Sequence, residues 1–256
     1  MTSRREFVAA MAAATALSAA DQPTLGLIFP PANRGIPEEG LLMYPKRINF
    51  IAEGLGLETM TPEGYDKVLD RITPTAQRLA ARGAKAIMLM GTSLSFYKGA
   101  EFNQRLTESL KKATGLPSAT MSTGVIEGLK TVGGKRIAVA TAYNEEVNGR
   151  LRIFLKESGF EALQVKGLGV EKVEDILLVK EPDLLRFCTD VGNSTKGADA
   201  ILVSCGGLIT LPILAPLERN TKLPAVSSTP HALRLGAKLL GIDSRSPGFG
   251  SLLTKA

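Results

Sequence analysis

Cys205 stands where an apolar run, Ala200–Ser204, gives way to Gly206-Gly207. Glycines let backbone N–H groups approach a ligand, and consecutive N–H groups form an anion-binding nest. A thiol in that position is a candidate proton donor or nucleophile, its pKa set by the same dipoles; the alternative is a small buried hydrophobe at a strand end. Gly91-Thr92-Ser93-Leu94-Ser95 follows another apolar run, Ala86–Met90, and supplies hydroxyls and N–H groups suited to a carboxylate or phosphate. The same residues could cap the next helix, and a capped helix start is itself an anion site. Tyr143, closing Ala140-Thr141-Ala142-Tyr143, offers a phenolic donor or a packing side chain. Cys188 lies on an amphipathic stretch and reads as core, and His231 reads as a surface or helix-start histidine. Two cysteines without ligand spacing and one histidine leave no basis for a metal site. Gly35, Gly40 and Gly54 are not in G-x-G-x-x-G order after a strand and no P-loop is present, so no cofactor is expected.

The elements that must position these residues are read from periodicity. Apolar runs at Leu25–Phe29, Ala86–Met90, Ala119–Met121, Arg136–Ala140, Ala200–Ser204 and Ala225–Ser227 alternate with longer amphipathic stretches, which predicts an α/β fold with parallel sheets. Thr61–Ala84 has helical spacing, with Thr61-Pro62 as cap and first helical position, and Pro74 predicts a kink or a break. Asn103–Thr114 and Glu145–Ser158 read as further helices, the latter stopped by Gly159.

An internal repeat is visible. Leu25–Phe29 is followed by Ala86–Ser93, and Arg136–Ala140 by Ala200–Gly207, each pair separated by roughly sixty residues. The expectation is two pseudo-symmetric Rossmann-like halves with short parallel sheets: residues 24–133 plus 230–256, and residues 134–229. Ligands of open α/β sheets bind outside the carboxyl ends of the strands. Gly91-Thr92-Ser93 and Cys205-Gly206-Gly207 should therefore form opposite walls of one cleft.

Composition narrows the partners. With 44% hydrophobic and 22% charged residues the chain reads as an ordinary globular protein. Aromatics are 5%, Trp is absent and the +6 net charge is scattered, which argues against nucleic acid and is compatible with a small anionic ligand. After the first residues no stretch reaches the ~20 apolar residues of a membrane span. Residues 1–20 differ from the rest: Ser3-Arg4-Arg5-Glu6-Phe7-Val8 opens an Ala-rich run that ends in Ser18-Ala19-Ala20. This resembles a twin-arginine signal, which predicts engagement of the twin-arginine export machinery and a periplasmic or secreted protein. The alternatives are an N-terminal helix of the fold, or a true start at Met11 and a cytoplasmic protein.

Assembled, these positions resemble the arylmalonate decarboxylases, a branch of the aspartate/glutamate racemase superfamily. The resemblance is carried by Phe29-Pro30-Pro31-Ala32, Gly54-Leu55-Gly56-Leu57, Thr61-Pro62-Glu63-Gly64-Tyr65, Gly91-Thr92-Ser93-Leu94-Ser95-Phe96-Tyr97, Thr120-Met121-Ser122-Thr123, Ala140-Thr141-Ala142-Tyr143, Ser204-Cys205-Gly206-Gly207-Leu208 and Pro247-Gly248-Phe249-Gly250. The wider superfamily sets two cysteines across the substrate; here the first-half position is Gly91, leaving Cys205 alone.

The resemblance implies cofactor-independent decarboxylation of an aryl- or alkenyl-malonate, with Cys205 protonating the resulting enediolate. It implies that Thr92, Ser93, Tyr143 and Gly206 hold the retained carboxylate. It places the leaving carboxylate in an apolar pocket of Pro30, Leu57, Met60, Tyr65, Val173 and Ile176. Alternatives are an isomerase like the maleate isomerases or racemases, against which the single thiol argues, and an exported carboxylate-binding protein.

Overall fold

The computed structural model describes residues 22–256; the expected export signal lies outside the described residues. Two four-stranded parallel sheets have the same strand order. The first runs β2-β1-β3-β4, from β1 (Thr24–Phe29), β2 (Asn49–Gly54), β3 (Ala86–Leu89) and β4 (Ser118–Thr120). The second runs β6-β5-β7-β8, from β5 (Arg136–Thr141), β6 (Glu161–Gly167), β7 (Ala200–Ser204) and β8 (Ala225–Ser227). The matching order is the structural form of the repeat seen in the sequence.

The central strands are covered on both faces, which is why they read as unbroken apolar runs. Ala86–Leu89 of β3 and Ala200–Ser204 of β7 are buried throughout. The two strands absent from the expected set, β2 and β6, are edge strands. Only Val165 of β6 and Phe50 of β2 are buried, so neither strand carries a continuous apolar run.

Local signals set most helix ends. After a short helix α1 (Glu38–Met43), the expected Thr61–Ala84 helix is two: α2 (Pro62–Asp66), capped by the Thr61 hydroxyl accepting from the Gly64 amide, and α3 (Leu69–Ala81). The break falls at Lys67–Val68 and not at Pro74, which lies within α3 on its exposed side. There the carbonyl left without an amide donor meets water. The next helices are α4 (Thr92–Phe96) and α5 (Ala100–Thr114), the latter starting earlier than expected. Met121 is not the end of a strand: it opens α6 (Met121–Thr131), because Thr120 caps that helix by accepting from the Thr123 amide. α7 (Glu145–Glu157) is followed by Gly159 at φ 88°, as the helix-stop reading requires. In the second half α8 (Glu181–Ser194) and α9 (Leu211–Thr221) complete the layers.

After β8 the chain returns to the first sheet as α10 (Ser228–Leu239). A Cβ on Gly236 would lie 2.6 Å from Leu25 Cδ2, and one on Gly124 of α6 would lie 2.9 Å from Ala232 Cα. Glycine therefore lets α10 lie directly on β1 and α6. Buried Arg234 fixes the return, donating to Glu127 at 2.7 Å and to the Ala256 carbonyl at 2.9 Å. His231 is at the helix start as expected, but it is buried rather than on the surface, and burial lowers its pKa to about 4. Cys188 lies on α8, fully buried, its thiol pushed up to about 12 by that burial.

Candidate active site

The turns after β3 and β7 meet as the sequence predicts. Gly91, Thr92 and Ser93 line one side of a small cavity; Cys205, Gly206 and Gly207 line the other. Gly91 is extended and serves as the cap position of α4, so Thr92 and Ser93 occupy the first turn of that helix and are not side-chain caps. Thr92, Ser93 and Cys205 are all buried.

The thiol is held in a tight turn. The Leu208 amide donates to the Cys205 carbonyl at 3.3 Å, and the Gly207 amide donates to Cys205 Sγ at 3.4 Å. Burial pushes the thiol pKa up; the Gly207 N–H and the Arg34 guanidinium offset part of that. The group is thus kept as a protonated thiol, in the form a proton donor needs.

A residue not singled out from the sequence joins the two walls. Ser228 Oγ, fully buried, accepts from the Cys205 amide at 3.1 Å and from the Thr92 hydroxyl at 2.9 Å. Thr229 adds a 3.2 Å hydrogen bond to the Gly206 carbonyl. The signal was present, since Ser227-Ser228-Thr229 is a hydroxyl run at the carboxyl end of β8, where ligand sites of such sheets gather. In the first half Ser122, after β4, plays the matching part by donating to the Thr92 carbonyl at 3.0 Å.

Of the residues expected in the apolar wall, Pro30, Leu57, Met60, Val173 and Ile176 line the cavity. Tyr65 does not line it. Its ring is buried and packs on Tyr97 with centroids 4.9 Å apart, and its buried hydroxyl faces Ser93 without closing a full hydrogen bond. Tyr143 is not part of the cavity lining either; its ring is buried edge-on against Phe96, while its hydroxyl reaches toward Thr92 and the thiol. Its hydroxyl is 3.4 Å from Ser204 Oγ and close enough to the thiol to lower the thiol's pKa.

The inner cavity is small, about 40 Å³, space for a few waters but not for a substituted malonate. It opens into a cleft of about 910 Å³, the two sharing Pro31, Arg34, Leu57 and Val173 as wall. Ile176, on the short 3₁₀ turn Glu174–Leu178, presses on the cavity: a Cβ on Gly207 would lie 2.8 Å from its Cγ2. That turn is held to the first half by backbone bonds from Met60 N to Glu171 O, 2.9 Å, and from Val173 N to Glu58 O, 3.2 Å.

The family model described as arylmalonate decarboxylase matches residues 25–253. This chain belongs to the arylmalonate decarboxylase family. It is 43% identical over 238 residues to the arylmalonate decarboxylase of Bordetella bronchiseptica, covering 93% of this chain and 99% of that one. A solved arylmalonate decarboxylase, a liganded variant carrying a Gly-to-Cys and a Cys-to-Ser replacement, superposes with a TM-score of 0.87 at 43% identity, covering 90% of this chain and 98% of that one. The maleate isomerase of Pseudomonas putida S16 superposes with a TM-score of 0.83 at 19% identity over 91% of this chain and 98% of that one, a likeness of fold. Both place the arylmalonate decarboxylase family chain in the α/β architecture of paired four-stranded parallel sheets. Among the described residues, no cluster of three or more His, Cys, Asp or Glu is placed to hold a metal, and no helix is long and apolar enough to cross a membrane.

Proposed function

We propose that this chain decarboxylates aryl- or alkenyl-substituted malonates without a cofactor, and that Cys205 delivers the proton that completes the reaction. The carrying observation is that the cavity has a buried thiol on one wall and Gly91 on the other; Cys188, on α8, does not line it. One thiol can protonate one face of a carbanion but cannot exchange protons across two faces.

In this reading one carboxylate is retained by the Ser93 hydroxyl, the Gly206 N–H and the Thr92 hydroxyl, whose proton turns from Ser228 to the substrate on binding. The other sits against Leu57, Met60, Val173 and Ile176, where a carboxylate loses hydration and gains nothing in return. The bond from the α-carbon to that carboxylate breaks and neutral CO2 leaves. Its electron pair passes into the retained carboxylate as an enediolate, whose added charge the donors stabilise. The Cys205 S–H proton then moves to the α-carbon, and water reprotonates the thiolate. The Tyr143 hydroxyl, beside Thr92 and the thiol, is a further donor to the retained carboxylate.

CO2 release from phenylmalonate tests this. The wild type should release it, and Cys205→Ser should lose about 10²–10⁴-fold in rate, the span of a positioned general acid. A wild type that binds the diacid and releases no CO2 would make the protein a carboxylate binder instead.

The first twenty residues support a separate proposal, that the chain is exported through the twin-arginine machinery. Arg4→Lys with Arg5→Lys should strand the full-length protein in the cytoplasm. A wild-type protein found there with residues 1–20 attached would contradict it.

A further inference from the structure

Arg34 lies where the inner cavity opens into the outer cleft and lines both. It is half-buried, its guanidinium 5.9 Å from the Phe29 ring centroid, and Nη2 makes one long hydrogen bond, 3.5 Å, to the Gly207 carbonyl. Arg78, Arg82, Arg150, Arg152 and Arg234 each pair with a carboxylate, whereas Arg34 has no such partner among the described residues. The acid near it, Glu39, is occupied: its Oε1 accepts from the Thr210 amide at 3.0 Å and the Leu211 amide at 2.8 Å, and burial raises its pKa. Glu38, Glu58 and Glu174 sit exposed in the outer cleft with Lys172 among them, and of the four residues shared by cavity and cleft only Arg34 is charged. A guanidinium has five N–H donors in a planar fork that fits a carboxylate two-on-two, and most of this one's donors are open.

Geometry then limits what can meet it. If the retained carboxylate lies at Thr92 and Ser93 and the leaving one against Met60 and Ile176, the α-substituent leaves the reacting carbon along Pro31 and Gly207, past Arg34, into the cleft. We infer that Arg34 selects malonates whose α-substituent carries an anionic group, a carboxylate, at its far end. This rests on the decarboxylase reading above. The substrate class is therefore a tricarboxylate: two carboxylates on the reacting carbon and a third, retained through the reaction, on the aryl or alkenyl group.

The test compares kcat/KM for phenylmalonate with that for its meta- and para-carboxyphenyl analogues, in the wild type, Arg34→Gln and Arg34→Lys. The wild type should favour one carboxylated isomer by about tenfold or more, a charge-assisted bidentate contact's worth. Arg34→Gln should lose that ratio, and Arg34→Lys should keep part of it. A wild type that turns over phenylmalonate with no preference for either analogue, or a ratio unchanged in Arg34→Gln, overturns the assignment and leaves the decarboxylase reading intact. Absence of CO2 from all three substrates overturns both.

Discussion

The hydroxyl of Thr92, on the first-half wall of the cavity, lies 2.9 Å from the hydroxyl of Ser228, which begins the helix after the last strand of the second half. Because Ser228 also accepts from the Cys205 amide, one buried oxygen sets the spacing between the carboxylate-holding wall and the proton donor. Substrate and thiol must be held within a few tenths of an ångström for efficient proton transfer, and neither wall carries the other by itself.

Ser228→Ala should therefore act on catalysis as well as stability. It leaves the Cys205 N–H buried without an acceptor, a cost of about 1–3 kcal/mol, and frees the Thr92 side chain to turn. We expect a lower melting temperature, kcat reduced by about ten- to a hundredfold on a 1.4 kcal/mol-per-decade scale, and a product of lower optical purity. Ser228→Thr, which keeps the hydroxyl, should recover part of the kcat. Loss of stability with kcat and optical purity unchanged would make Ser228 a purely structural residue.

Ile176 limits the size of the substituent. Its side chain packs against Gly207 and helps reduce the inner cavity to about 40 Å³. Ile176→Ala should raise kcat/KM for naphthylmalonate relative to phenylmalonate, at a stability cost of about 2–5 kcal/mol for truncating a buried isoleucine. The ratio of the two substrates is the readout; an unchanged ratio would mean that room is made elsewhere.

The pH profile follows from the thiol. A donor must be protonated, and burial raises the Cys205 pKa above the ordinary thiol value, near ~8.5 for a free cysteine. The rate should accordingly hold through that value and decline only at higher pH. Arg34 favours the thiolate, so Arg34→Gln should move the alkaline limb further up. A limb below the ordinary thiol value would contradict the protonated resting thiol.

How far the sequence revealed this depended on burial. The central strands and the two facing turns were legible because β3 and β7 are covered on both faces and end in glycine-containing turns, each feature leaving a local mark. The edge strands β2 and β6 were not, since half-exposed residues at a sheet edge carry no apolar run. Among the site residues, Thr92, Ser93, Cys205 and the apolar wall followed from strand-end position and resemblance. Tyr65 and Tyr143 were expected to face the ligand, and neither is part of the lining of the small inner cavity. Their rings pack on Tyr97 and Phe96, which a spacing pattern does not report, while their hydroxyls reach toward Ser93 and toward Thr92 and Cys205. Arg34 and Ser228 act through contacts over 173 and 136 residues of chain, which no local pattern records.

The most direct test of Cys205 as a one-sided donor is decarboxylation of 2-methyl-2-phenylmalonate in D2O, followed by chiral separation and NMR of the 2-phenylpropanoate. The wild type should give one enantiomer carrying a single deuterium at the α-carbon, and Cys205→Ser should slow its formation by at least about a hundredfold. A racemic product from the wild type, or an undiminished rate in Cys205→Ser, would contradict the account.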